Sequence, residues 1–221
     1  NIDYILSHTH IKFFIHENDL HYIKGRNKSF SRYMLLRDNL ITNPHINILA
    51  YYWYDYQRRY DINKNNLFCF PKFVREIKYS ETNSKPIPKV VLSGSCTSSY
   101  PMRKYLRSIE HPHLVKISHT DNIFGEEYYQ FLHNHLAAFT CCLNKDTPYI
   151  INKFFEIPSL GCLLLAYDEH VRKFLDELGF IDNVNYMSCT QNNVIQKIEW
   201  ICDPDNIDKV NKIRLAGYQM I

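Results

Sequence analysis

The chain has 221 residues, 45% hydrophobic and 22% charged, with a net charge of +3. That length and apolar fraction support a packed core for one sizeable α/β domain or two small ones and exclude a disordered chain, and seventeen tyrosines and thirteen phenylalanines against six glycines exclude a collagen-like or low-complexity one. The basic residues are scattered, with no cluster larger than Arg58–Arg59 or Arg103–Lys104, a pattern that leaves discrete anion sites open but draws no extended nucleic-acid footprint.

In chain order, "IDYILSH" and "IKFFIHEND" read as short strands rich in β-branched and aromatic residues. "SFSRYMLLRDNLIT" starts on serine and spaces Tyr33, Leu35, Leu36 and Leu40 as a helix does. "INILAYY" returns to strand, "WYDYQRRY" reads as helix, and "NLFCFPKFV" as a strand running into a proline turn. The polar, two-proline stretch "KYSETNSKPIPK" is the best linker in the chain, dividing it into residues 1–80 and 81–221.

The alternation then restarts: strand "KVVLSGS", loop "CTSSYP", helix "MRKYLRSIE", strand "LVKIS", helix "EEYYQFLHNHLA", strand "AFTCCL". Helix "YIINKFFEIPSL", strand "CLLLA", helix "EHVRKFLDELG" and a final helix from about Asn206 complete it. Strands alternating with helices predict parallel sheets with crossover helices. The expected fold is therefore α/β, two Rossmann-like units of which the N-terminal one is reduced, with ligands bound beyond the carboxyl ends of the strands.

No stretch approaches the roughly 20 apolar residues that span a bilayer, and no signal peptide is visible. The seven cysteines form no C-x-x-C pair and lie mostly in apolar runs such as "FTCCL" and "GCLLL", which reads as reduced core thiols in a cytoplasmic setting. A first residue of Asn and a last segment, "RLAGYQMI", that reads as helix suggest a domain of a longer polypeptide.

Within this pattern "NKFFEIPSLGCLLLA" stands out, because Glu156 lies inside an apolar run. A buried carboxylate needs a partner or a ligand. Lys153, three residues earlier, shares its helix face and offers one; a cleft with a ligand is the other reading. The helix start near Pro148–Tyr149 presents backbone N–H groups suited to an anion. Ser93, Gly94 and Ser95 form a small-residue loop after a strand, either a plain turn or a place where backbone approaches phosphate.

Metal chemistry has two weak footholds, His8-x-His10 and His133-x-His135. Residues i and i+2 share a face on a strand but diverge on the helix read for the second pair, so no metal site is expected. "DPD" at 203–205 reads as a helix N-cap with proline in the first turn, not as a metal-binding Asp-x-Asp. The aromatic run "YYWYDY" suits core packing better than sugar stacking.

The string "KFFEIPSLGCLLLA" resembles the signature of the group-1 glycosyltransferases and their spore-maturation-like relatives, in which a helical Glu precedes a small residue, a Gly and a buried strand. "VVLSGSCTSSYPMRKYL" is similar to the strand, loop and Arg-bearing helix that open the donor domain, "LDELGFIDNVNYM" and "ICDPDNIDKVNKIRLAGY" to the segments that close it, and "FIHENDLHYI" to a cleft-facing segment of the other domain. The resemblance covers most of the chain and is strongest from 89 to 218.

The resemblance implies a GT-B architecture and transfer of a sugar from a UDP- or GDP-linked donor to a glycan acceptor, without metal or other cofactor. A hexose or a deoxyhexose such as rhamnose fits equally. Glu156 would bind the donor ribose; Lys153 and Arg103, with the Ser93–Ser95 loop and the helix start at Tyr149, would face the diphosphate. The family's second Glu, eight residues upstream, is replaced here by Pro148. An acceptor base is expected from "HENDLH", in the order Asp19, Glu17, His16, unless Asp19 only caps the next turn. A module of a larger viral glycan-building enzyme fits the composition, and a catalytically inactive nucleotide- or glycan-binding module is the alternative.

Overall fold

The computed structural model describes residues 4, 7, 8, 10, 12–17, 43–50, 66–69, 82–98, 100–117, 121, 123–142 and 150–221. The chain divides into two compact units, Asn1–Lys72 and Phe73–Ile221. In both, every described strand is parallel to its neighbours, and in the second the strands alternate with helices.

In the first unit, β1 (Phe13–Glu17), β2 (Ile46–Ala50) and β3 (Leu67–Cys69) form a sheet in that order. Ile46, Ile48 and Ala50 are buried while Asn47 and Leu49 are half-buried, the period of two that sets one face of a strand against a core. Tyr4 and Ser7 have helical backbone, so the strand expected over "IDYILSH" is not formed there. The helices expected at 29–42 and 53–60 lie outside the described residues.

The second unit contains β4 (Ile87–Leu92), α1 (Pro101–Ser108), β5 (Leu114–Lys116), α2 (Gly125–His133), β6 (His135–Cys141), α3 (Lys153–Ser159), β7 (Leu163–Tyr167), α4 (Arg172–Glu177), β8 (Met187–Cys189), α5 (Val194–Cys202) and α6 (Ile207–Met220). Its sheet runs β5-β4-β6-β7-β8. Val90 and Leu92 pack into one cluster with Met102, Leu106, Ile198 and Val210; Val91 packs into another with Leu132, Phe154 and Leu175. The sheet is thus covered on both faces, which is why its strands are continuous apolar runs. Each fully buried Leu or Phe of these clusters contributes about 1.5–3 kcal/mol.

Local chemistry explains most boundaries. Pro101 starts α1, where a missing N–H costs nothing. α3 stops at a Schellman turn: Gly161 takes φ 66°, its N–H reaches Pro158 O at 2.9 Å and the Cys162 N–H reaches Ile157 O at 3.3 Å. A Cβ at Gly161 would lie 3.0 Å from Thr82 Cα, so the glycine also lets this turn approach the segment leading into β4. Asp203 caps a 3₁₀ turn at Pro204–Asn206 by accepting from the Asp205 N–H at 3.0 Å, and α6 follows.

Three elements differ from the sequence reading. α2 ends at His133 and His135 already pairs with Ile87, because sheet pairing outweighs the helical propensity of "HLAA". α3 begins at Lys153, not at 149, and the N–H groups of Phe154, Phe155 and Glu156 are bonded to Ile151 O and Asn152 O. The anion site expected near Pro148–Tyr149 falls on residues outside the described ones. β8 and α5 went unread: three strand residues give no period, and "NNVIQKIEWIC" follows too closely on them.

Candidate functional site

β4 lies between β5, which follows it in the chain, and β6, which comes after β5. At its carboxyl end the crossovers turn in opposite directions, the place where open α/β sheets receive ligands. Ser93, Gly94 and Ser95 leave the strand there. Gly94 takes φ 93°, and a Cβ on it would lie 3.1 Å from Arg103 Nη1 and 3.3 Å from Lys153 Cε. A side chain at this position would both strain the backbone and push on two cations.

Arg103, on α1, is only 2% exposed. Its Nη1 donates to Ser95 O at 3.3 Å and its Nη2 to Thr140 Oγ1 at 3.4 Å, both long, and its Nε has no partner among the described residues. The guanidinium lies 4.2 Å from the ring centre of Tyr100, which supplies a π face but no countercharge. Lys153, at the start of α3, donates to Ser93 Oγ at 3.1 Å and to Tyr128 Oη, and lies 4.5 Å from the Tyr128 ring centre. Ser93 Oγ and Tyr128 Oη are 2.9 Å apart.

Counting donors shows what this group lacks. The ammonium has three N–H groups and uses two; the two hydroxyls share one bond and so keep one O–H free. Among the described residues, no carboxylate pairs with Arg103 or Lys153. Two cations and a surplus O–H converge on a loop with no carboxylate among the described residues to match them, the complement of an oxyanion. Ser93, Gly94, Tyr128 and Lys153 line a cleft of about 200 Å³, walled by Ile117, Ile123 and Phe124.

Arg107 flanks the loop, donating to Cys96 Sγ at 3.2 Å and to Ile117 O at 2.5 Å. Beneath the site, burial pushes the Cys141 thiol up to about 11 in spite of Arg103 beside it. Cys141 is thus a protonated wall and not a nucleophile. Six described cysteines, Cys96 and five buried ones, are free thiols.

The same sheet edge carries a second polar cluster, and it is closed. Asp168, fully buried after β7, accepts from Tyr186 Oη at 2.6 Å, Ser188 Oγ at 2.8 Å and Arg172 Nη2 at 2.9 Å. Burial, then the bond to Asp168, raises the Tyr186 phenol and keeps it protonated. This network pins β7 to β8 and α4.

Of the residues singled out by sequence, Ser93, Gly94, Ser95, Arg103 and Lys153 come together. Glu156, one turn along α3 from Lys153, is half-buried, and no partner for its carboxylate exists among the described residues. The Lys153–Glu156 ion pair is not made; the ammonium turns to Ser93 and Tyr128 instead. Tyr149 and Asp19 lie outside the described residues. His16 and Glu17 occupy the carboxyl end of β1, paired in register with Leu49 and Ala50.

Three of the four paired histidines lie against backbone carbonyls. His133 Nδ1 is 3.0 Å from Leu160 O, His135 Nδ1 is 2.6 Å from Phe131 O, and His8 Nδ1 is 2.8 Å from Tyr4 O. Tyr128, Thr140 and Asp168 were missed. Asp168 alone carries a sequence signal, a carboxylate placed directly after an apolar strand. In comparisons with known proteins, no family model matches the chain and no curated relative was found.

Proposed function

We propose that the second unit binds the diphosphate of a nucleotide-sugar and that the chain is a metal-independent glycosyltransferase of GT-B type, moving a hexose or deoxyhexose from a UDP- or GDP-linked donor to a glycan acceptor. The observation that carries this reading is the convergence of Arg103 and Lys153, neither paired with a carboxylate among the described residues, on Gly94 at the switch point of a parallel sheet. The membership in glycosyltransferases rests on the resemblance of "KFFEIPSLGCLLLA" and "VVLSGSCTSSYPMRKYL".

In the transfer, the bond from the sugar's anomeric carbon to the phosphate oxygen breaks and its electron pair stays on the diphosphate. Arg103, Lys153 and the hydroxyls of Ser93 and Tyr128 offset that charge, the role cations and fixed donors play at any departing phosphate. The acceptor oxygen bonds to the anomeric carbon and gives up its proton to a base, for which Asp19, Glu17 and His16 are the choices in that order. Glu156, whose carboxylate has no partner among the described residues, suits the two ribose hydroxyls of the donor. Free thiols support a reducing, cytoplasmic setting, and other domains of one polypeptide are the expected partners.

The test is a thermal-shift series with UDP, GDP, TDP, CMP and their sugars, with and without EDTA. One nucleoside diphosphate should raise the midpoint, EDTA should not alter that rise, and Glu156→Ala should weaken binding of the ribonucleotide about tenfold more than of its 2′-deoxy form. No rise with any of them would sink the donor site. Binding without hydrolysis or transfer of any sugar would reduce the chain to a nucleotide-binding module.

A further inference from the structure

Phe124 breaks two local rules at once. It occupies the N-cap of α2, with φ −136° and ψ 164°, where Ser, Thr, Asp or Asn would accept a hydrogen bond from the first turn and a phenyl ring accepts none. It is also 63% exposed, although an apolar ring gains free energy by leaving water. A residue that forfeits both a cap and burial, with no compensating contact among the described residues, marks a position fitted to something outside the fold.

Its surroundings say what that is. Phe124 walls the same cleft whose floor holds Lys153, Tyr128 and the Ser93–Gly94 loop, with Ile117 and Ile123 making the rest of the wall apolar. The cleft is amphiphilic, lined by oxyanion donors together with an aromatic ring and two aliphatic side chains. At about 200 Å³ it is smaller than the roughly 300–1,000 Å³ of pockets that enclose a whole ligand, so it takes one part of a ligand and leaves the remainder outside.

We infer that Phe124 is the stacking platform for the planar base of a nucleotide whose phosphates sit on Arg103 and Lys153. This rests on the donor-site reading above and adds to it the residue that holds the base. A phenyl face stacks on any nucleobase, so Phe124 supplies affinity while leaving the choice among bases to other groups.

The experiment measures binding of inorganic pyrophosphate and of UDP, GDP and ADP to the full chain, to Phe124→Ser and to Phe124→Trp. Wild type should bind its preferred nucleoside diphosphate more tightly than pyrophosphate. Phe124→Ser should lose about tenfold or more of the nucleotide affinity, keep the pyrophosphate affinity, and melt no lower than wild type because serine restores the cap. Phe124→Trp should retain nucleotide binding and show tryptophan quenching by the nucleotide but not by pyrophosphate. If Phe124→Ser binds the nucleotide as wild type does, the stacking role is overturned and the anion site stands. If wild type binds neither pyrophosphate nor any nucleotide, the donor-site reading falls and this inference with it.

Discussion

Two arginines are almost fully buried in the second unit, and they sit at opposite edges of one sheet. Arg214, on α6, is 3% exposed: Nε and Nη2 donate to Gly161 O at 3.0 and 2.7 Å, Nη2 also to Asn83 O at 3.2 Å, and Nη1 to Asn211 Oδ1 at 2.7 Å. Its partners lie where β4 and β7 begin. Arg103 faces the ends of β4 and β6 and makes two long bonds, with Nε unpartnered. Neither has a carboxylate among the described residues. The difference is saturation: carbonyls satisfy Arg214 and fix it as a tie between segments, while Arg103 keeps donors in reserve.

The largest test of that contrast is Arg214→Met. It leaves the buried Gly161 carbonyl and the half-buried Asn83 carbonyl without this donor and should cost about 3 kcal/mol in urea unfolding, while nucleoside-diphosphate affinity per folded molecule stays within about twofold. A loss of affinity without a loss of stability would reverse the assignment.

Arg103→Met, at similar volume, removes few good bonds and should change stability by less than about 1 kcal/mol, yet weaken diphosphate binding about tenfold or more. Calorimetric titration with pyrophosphate reads this directly, and equal binding by variant and wild type would make Arg103 a second structural tie.

The smallest effect sharpens the comparison by moving to a buried base already served by a carbonyl. His135 is buried against Phe131; burial lowers its pKa first, the bond to Phe131 O partly opposes this, and Lys89 lowers it further. The unfolded chain, with an imidazole near 6.5, then takes up the proton before the folded one. Stability present above pH 6.5 should fall as pH drops through and below that value, and His135→Gln should flatten the fall. Identical pH profiles of midpoint for the two proteins would show that His135 carries no part of it.

Much of this was legible in the chain. Alternating strands and helices announced parallel sheets, since buried strands read as "KVVLSGS" and "CLLLA", and strand ends announced the Ser93–Ser95 loop. The arginine of "SYPMRKYL" and the lysine of "NKFFE" were placed beside a diphosphate only by the family resemblance. Their partners were not. Tyr128 comes from "EEYYQF", where two adjacent tyrosines on a helix look like core, and only the crossover from β5 to β6 carries α2 over the loop. The saturation of Arg214 was equally hidden, because its acceptors are backbone oxygens that no residue type advertises. Helix limits failed where pairing intervened: His135 belongs to β6 because β4 and β7 flank it.

The bond from Arg214 to Asn83 joins residues 131 apart. During synthesis the strand that begins the second unit's sheet leaves the ribosome long before the helix that ties it down. Until Arg214 has emerged, the amino edges of β4 and β7 lack their shared donor and the apolar faces awaiting Val210 and Ile213 stay wet. A growing chain therefore carries an incomplete sheet until residue 214 has emerged, and the exposure of that sheet to proteases and chaperones ends only when α6 docks.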